Sequence, residues 1–212
     1  MSMSILPDIA ESLQRGEDDR VHELVRQALE AGVPPIDVLN NGLVAGMNVV
    51  GEQFRQREIF LPDVLLAARA MYAGLDLLKP LLARDGVPSA GRIVIGSVHG
   101  DLHDIGKNLV GIMLKGAGFE VIDLGNDVPA ERFVEAAVAH GAAVIGMSAL
   151  LTTTMPVMKD VVDLLRARGL SGTTKVIVGG APVSDAFARE IGADAYAYDA
   201  ANAVERVRAL IR

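Results

Sequence analysis

Cysteine and tryptophan are absent from the 212 residues, and aromatic residues make up only 4%. Without cysteine there is neither a disulfide nor a thiolate metal site. With no signal-peptide pattern at the N-terminus, this fits a reducing cytoplasm. Basic residues are also scarce: 20 Lys and Arg against 27 Asp and Glu give a net charge of −7, with no basic block along the chain. A nucleic-acid partner leaves a basic footprint, so none is expected. A membrane span is not expected either. The stretch Ala136 to Met158 carries no formal charge, but His140-Gly141, Ser148, the run Thr152, Thr153, Thr154 and then Pro156 divide it into a helix end, a short buried strand and a loop.

What is present is an ordinary globular balance, 50% hydrophobic and 22% charged, which excludes disordered, collagenous and coiled-coil readings. The character changes near Asp85-Gly86-Val87-Pro88-Ser89-Ala90-Gly91. Before it, apolar residues recur at helical spacing around Ile5 to Leu13, Val21 to Leu29, Val38 to Val50 and Val64 to Leu78. Gly16, Gly32-Val33-Pro34-Pro35 and Leu61-Pro62-Asp63 mark the joints. Four short-jointed helices predict an antiparallel bundle over residues 1–85.

Residues 92–212 then alternate. Strands are predicted at Arg92 to Ser97, Glu120 to Leu124, Ala143 to Met147, Lys175 to Val178 and Ala195 to Tyr198. Helices are predicted from about 104 to 118, 130 to 140, 156 to 168, 183 to 191 and 200 to 211. This is the pattern of a doubly wound, five-stranded parallel sheet of flavodoxin-like or Rossmann-like type, with strand order 2-1-3-4-5. Residues 86–91 form the expected linker and, with 84 and 85, the expected hinge.

In such sheets ligands sit beyond the carboxyl ends of the strands at the switch point, which selects the loops after the first, third and fourth strands. These read Gly100-Asp101-Leu102-His103-Asp104-Ile105-Gly106-Lys107-Asn108, Ser148-Ala149-Leu150-Leu151-Thr152-Thr153-Thr154, and Gly179-Gly180-Ala181-Pro182. Each has an ordinary reading alone: a cap with a surface histidine, a hydroxyl-rich turn, a tight glycine turn. Neither a G-x-G-x-x-G nor a P-loop pattern occurs.

Taken together, Asp101-x-His103-x-x-Gly106, about forty residues, Ser148-x-Leu150 and then Gly179-Gly180 resemble the signature of cobalamin-binding domains that hold the cofactor base-off. The resemblance implies that His103 replaces the cofactor's own base as lower axial ligand to cobalt. It also implies that the nucleotide tail threads beside the other two loops, giving a cofactor-contacting set of Asp101, Leu102, Asp104, Ile105, Gly106, Ser148, Leu150, Thr152, Thr154, Gly179 and Gly180. Neutral imidazole suits such a metal, and a metal-bound His usually gives its second ring N–H to a carboxylate, here Asp101. In the related methionine synthase a hydroxyl six residues after the Ser completes the relay; Thr154 stands there. Glycines 179 and 180 are expected to lack Cβ atoms where the tail passes, and Ser148 to donate to the displaced base. His22, His99 and His140 receive no role.

The helical half discriminates among cobalamin chemistries. Gly51-Glu52-Gln53-Phe54-Arg55-Gln56-Arg57-Glu58-Ile59-Phe60-Leu61-Pro62-Asp63-Val64, followed by Ala67-Ala68-Arg69-Ala70-Met71, resembles the cap of methionine synthase and of stand-alone corrinoid proteins. That resemblance makes Phe54, Phe60, Leu61 and Val64 candidates to shield the methyl group, the alternative being plain bundle core. Cobalamin light sensors place a Trp over the cofactor, which this sequence lacks, so a sensor or regulatory module is the lesser reading. The resemblance therefore implies a methyl shuttle that cycles between Co(I) and methyl-Co(III). Its implied partners are a substrate:corrinoid methyltransferase, a corrinoid:coenzyme M or tetrahydrofolate methyltransferase, and a reductive activase. No nucleophile and base pair appears, so catalysis proper is expected to belong to the partners.

Overall fold

The computed structural model describes residues 5–84 and 90–211. The chain divides into two compact units, one helical and one α/β from Ala90 onward. The expected linker and hinge positions 85–89 lie outside the described residues, whereas Gly91 is tied into the second unit, its carbonyl accepting the Glu120 N–H at 3.0 Å.

The helical unit contains α1 (Ile5–Gln14), α2 (Asp18–Glu30), α3 (Pro35–Asp37), a π-helical segment (Val38–Val44), α4 (Ala45–Arg55) and α5 (Leu61–Arg84). The predicted helices are all present. Ile9 and Leu13 on α1, and Val21, Leu24, Val25 and Ala28 on α2, form the buried stripes that the period of 3.6 implies. The third helix departs from expectation by widening over Val38–Val44 into a π segment. Small residues let α1 come close on this side: a Cβ on Gly42 would meet Ile9 at 3.1 Å, and one on Gly46 the Ala10 carbonyl at 2.9 Å.

The α/β unit runs β1 (Arg92–Ser97), α6 (Ile105–Gly116), β2 (Glu120–Asp123), α7 (Ala130–His140), β3 (Val144–Ser148), α8 (Pro156–Ala167), β4 (Lys175–Gly179), α9 (Asp185–Ile191), β5 (Ala195–Ala197) and α10 (Ala200–Ile211). All pairings are parallel, in the order β2-β1-β3-β4-β5, as the alternation predicts. β1, β3 and β4 are buried almost throughout because helices cover both faces, and β2 is the more exposed edge. Phe133, Ile145, Met158 and Leu165 centre one face of the core. The ring of Phe133 explains Gly96, where a Cβ would approach it to 2.8 Å. The register aligns Ser97 with Ser148 and Ser148 with Gly179, so the three unusual loops leave the sheet side by side at the switch between β1 and β3.

Candidate cofactor site

The loop after β1 starts from a turn in which the Asp101 N–H donates to the Val98 carbonyl at 3.0 Å, with Gly100 at φ +80°, a conformation natural to glycine. The turn sends the Asp101 side chain inward, where it is 0% exposed. One carboxylate oxygen, Oδ1, accepts the His103 backbone N–H at 3.1 Å and faces the His103 ring Nδ1 at 2.8 Å. The other, Oδ2, accepts the Leu150 N–H at 2.7 Å, the Leu151 N–H at 3.2 Å and the Thr154 hydroxyl at 2.9 Å. Burial alone would raise the carboxyl. The bonds from Leu150, His103 and Thr154 outweigh that and hold it well below the usual carboxylate range.

This carboxylate decides the state of the histidine. An ionised, acceptor-only Asp101 requires the hydrogen on Nδ1, which leaves the lone pair on Nε2. Among the described residues nothing bonds Nε2, and the His103 side chain is 53% exposed. The backbone beneath is fixed too, because the buried Ser97 hydroxyl donates to the His103 carbonyl at 2.7 Å. Thr154 Oγ1 lies 2.9 Å from both Asp101 Oδ2 and the Leu151 carbonyl, and its one hydrogen serves one of them at a time.

The surroundings are apolar. Leu102, in the His103 loop, and Ile105, which opens α6, are 70% and 72% exposed, and Leu150 and Leu151 in the loop after β3 are 42% each. Gly106 sits in the first turn of α6, where a Cβ would meet nothing within 4 Å. No packing inside the unit demands this glycine, so it leaves space on the open side. Among the described residues no group of three or more His, Cys, Asp or Glu could hold a metal ion. One imidazole with a carboxylate behind it holds a bare ion poorly. It suits a metal that arrives with its other ligands in place, as cobalt does within a corrin ring, and the exposed leucines and isoleucine suit a broad apolar ligand face.

The remaining candidates divide. Asp104 is half-buried and its carbonyl accepts the Asn108 N–H at 2.7 Å, opening α6. Ser148 is half-buried at the end of β3, and Thr152 is exposed. The expectation for the paired glycines changes. A Cβ on Gly180, at φ +126°, would stand 1.9 Å from the Ala149 carbonyl oxygen, and one on Gly179 would stand 2.9 Å from that of Ala197. Contact within the chain therefore already requires glycine at both positions, with no passing ligand. In the helical unit Phe60 is 68% exposed, Phe54 and Leu61 are half-buried, and Val64 is fully buried.

Three groups escaped the sequence reading. Ser97 supports His103 from the strand end. Lys107, 4% exposed, reaches Asp123 at 2.5 and 2.6 Å and Asn108 Oδ1 at 2.7 Å, tying α6 to β2. Asp127 joins His99 and Gly100 at 2.7 Å each. A lysine within a helix-opening apolar pattern, followed sixteen residues on by an aspartate closing a strand, was the available signal for the second.

Models of the B12 binding domain match residues 91–208 and, for a second such model, residues 5–79. A corrinoid protein of Desulfitobacterium hafniense is 46% identical over 208 residues, covering 97% of this chain and 96% of that protein. Dimethylamine corrinoid protein 3 of Methanosarcina acetivorans is 45% identical over 207 residues, covering 98% and 97%. Among solved structures, the methanol:cobalamin methyltransferase complex MtaBC of Methanosarcina barkeri contains a chain that superposes with a TM-score of 0.88 at 35% identity, covering 99% of this chain and 80% of that one. The chain thus belongs to the B12-binding family, among its corrinoid proteins, and the cofactor it binds is a cobalamin-type corrinoid.

Proposed function

We propose that this protein is a methyl carrier in a corrinoid-dependent methyltransferase system, holding its cofactor base-off with His103 as lower axial ligand. When bound, the corrinoid supplies a cobalt centre that accepts a methyl group as Co(I) and surrenders it from the methylated Co(III) form. The observation that carries the reading is the His103 imidazole, held through Nδ1 by a buried, ionised Asp101 with Nε2 left open.

The chain's own residues then have distinct tasks. His103 offers Nε2, and Asp101 fixes the tautomer and plane of the ring. The Leu150 amide, His103 itself and Thr154 keep Asp101 ionised. Leu102, Ile105, Leu150 and Leu151 offer apolar surface to the ligand, and Gly106 leaves room for it. Ser148, Thr152 and the loop at Gly179-Gly180 flank the proposed path of the nucleotide tail. Of the proposed shielding residues, Phe60 is the one whose side chain is open to solvent.

Several relatives are named dimethylamine or trimethylamine corrinoid proteins. This supports a methylated amine or similarly simple methyl donor, loaded by a dedicated methyltransferase. A second methyltransferase to a thiol or tetrahydrofolate, a reductive activase and a cytoplasmic location complete the proposal. Among the described residues no helix is long and apolar enough to cross a membrane. The test is the visible spectrum of protein reconstituted with methylcobalamin, wild type against His103→Ala. A base-off, nitrogen-ligated spectrum in the wild type that becomes water-ligated in the variant supports the assignment. Identical spectra would refute it.

A further inference from the structure

The loop between β2 and α7 lies against the end of β1 and the first residues of the His103 loop. The Ser97 N–H donates to the Gly125 carbonyl, and the Val128 N–H donates back to the Ser97 carbonyl, both at 3.0 Å. The Asn126 amide reaches the Leu102 carbonyl at 3.3 Å. Asp127 sits at the centre and is linked twice to the turn that aims Asp101. Its Oδ1 accepts the Gly100 N–H at 2.7 Å, and its own peptide N–H donates to the Asp101 carbonyl at 3.0 Å. To do both it adopts φ +55°, a left-handed conformation that few residues other than glycine, asparagine and aspartate accept and that clusters at functional sites. The Gly100 N–H, together with His99, also holds the Asp127 carboxyl below its ordinary range.

We propose that Asp127 is a positioning residue for His103. Its carboxylate and its peptide N–H clamp the Gly100-Asp101 turn from both sides, and so hold the Asp101 carboxylate where it orients the imidazole. The inference rests on the ligation reading above and extends it one step outward. It belongs to the support that fixes a ligand's tautomer and direction. His99 Nδ1 faces the same Oδ1 at 2.7 Å from a side chain that is 65% exposed, a contact that the clamp on the turn does not need.

Three variants separate the possibilities. Asp127→Gly keeps the positive φ and the peptide N–H but removes the Gly100 acceptor. Asp127→Asn keeps an acceptor oxygen and tolerates the conformation. His99→Ala removes the second contact of that oxygen and leaves the Gly100 N–H in place. Two readouts apply: the share of His103 in the Nδ1–H tautomer, from nitrogen chemical shifts of the protein without cofactor, and the ratio of histidine-on to histidine-off corrinoid after cobalamin is added. Asp127→Gly is expected to lower that ratio about three- to tenfold, as loss of a charge-assisted hydrogen bond implies, and to reduce the Nδ1–H share. Asp127→Asn and His99→Ala are expected to stay within about twofold of wild type.

A wild type that binds corrinoid through nitrogen while Asp127→Gly leaves both readouts unchanged would overturn the positioning role. A wild type with no nitrogen ligation would overturn the ligation reading itself and the inference with it. Should Asp127→Gly fail to fold, hydrogen exchange at the wild-type Gly100 amide decides: protection supports the clamp, and exchange at the rate of an open loop overturns it.

Discussion

Replacing Asp101 by Asn changes one atom of a side chain that is only ever an acceptor. The carboxylate receives three backbone N–H groups, the Thr154 hydroxyl and the His103 ring. An amide has one acceptor oxygen and one donor nitrogen. With its oxygen toward Leu150, Leu151 and Thr154, its NH2 confronts the His103 backbone N–H and turns Nδ1 into an acceptor. With the amide reversed, the Leu150 and Leu151 amides are orphaned instead. The first arrangement is cheaper: one unsatisfied buried N–H costs about 1–3 kcal/mol, and the weakening of the remaining charge-assisted bonds adds about 1 kcal/mol. A loss of about 2–4 kcal/mol is expected for the α/β unit in urea unfolding of the cofactor-free protein at pH 7.

The sign with pH follows from the depressed carboxyl. A folded-state value below the unfolded one contributes stability fully present above the unfolded value of about 3.9, and lost as pH falls below it. The gap between wild type and Asp101→Asn is therefore widest near neutrality and narrows below about pH 4. The imidazole hydrogen should also move from Nδ1 to Nε2, removing the metal-binding lone pair, so nitrogen ligation is lost even where the corrinoid is retained. A variant as stable as wild type at pH 7, or a gap constant down to pH 3, would refute the reasoning.

Gly106→Ala adds a methyl group where the chain offers no contact. Cofactor-free stability is expected to stay level or rise by up to about 1 kcal/mol while corrinoid retention in gel filtration falls. Gly180→Ala should do the opposite first, since its Cβ would collide with the Ala149 carbonyl at 1.9 Å; thermal unfolding will drop whether or not ligand is present. Thr154→Val removes the hydroxyl from Asp101 and should cost about 1 kcal/mol, with Thr154→Ser restoring it, both read from urea midpoints. Asp123→Ala leaves the buried Lys107 ammonium without its carboxylate and with only the Asn108 oxygen. A cost of about 2 kcal/mol is expected, below the roughly 3–5 kcal/mol of a fully buried pair because Asp123 retains solvent contact.

The fold was largely legible because parallel strands buried on both faces read as short apolar runs, and amphipathic helices between them keep their period. The strand order 2-1-3-4-5 followed from five strands alternating with helices. The π segment at Val38–Val44 was not legible, since an extra residue per turn leaves the same apolar residues in nearly the same order. At the site, Asp101, His103 and Thr154 were recognisable as residue types at set spacings. The Leu150 and Leu151 amides that hold Asp101 were not, because any residue supplies a backbone N–H. Nor could sequence distinguish a glycine with open space around it from glycines that contacts within the chain require. Gly106 leaves open space, whereas Gly179 and Gly180 are required by carbonyls of Ala197 and Ala149. Ser97, Lys107 and Asp127 escaped because their partners lie on other strands or loops and only the folded register brings them together. Val64, one turn beyond Phe60 in the cap motif, proved fully buried.

The central claim is that a nitrogen of this protein, on His103, occupies the lower axial position. Electron paramagnetic resonance of the Co(II) form, prepared with unlabelled cobalamin in protein uniformly labelled with nitrogen-15, tests it directly. Each high-field cobalt line is expected to split into a doublet, the signature of one spin-half nitrogen, and His103→Ala is expected to abolish the doublet. A triplet surviving in the labelled protein would place the cofactor's own base on cobalt, and unsplit lines would mean no nitrogen ligand at all; either contradicts the assignment.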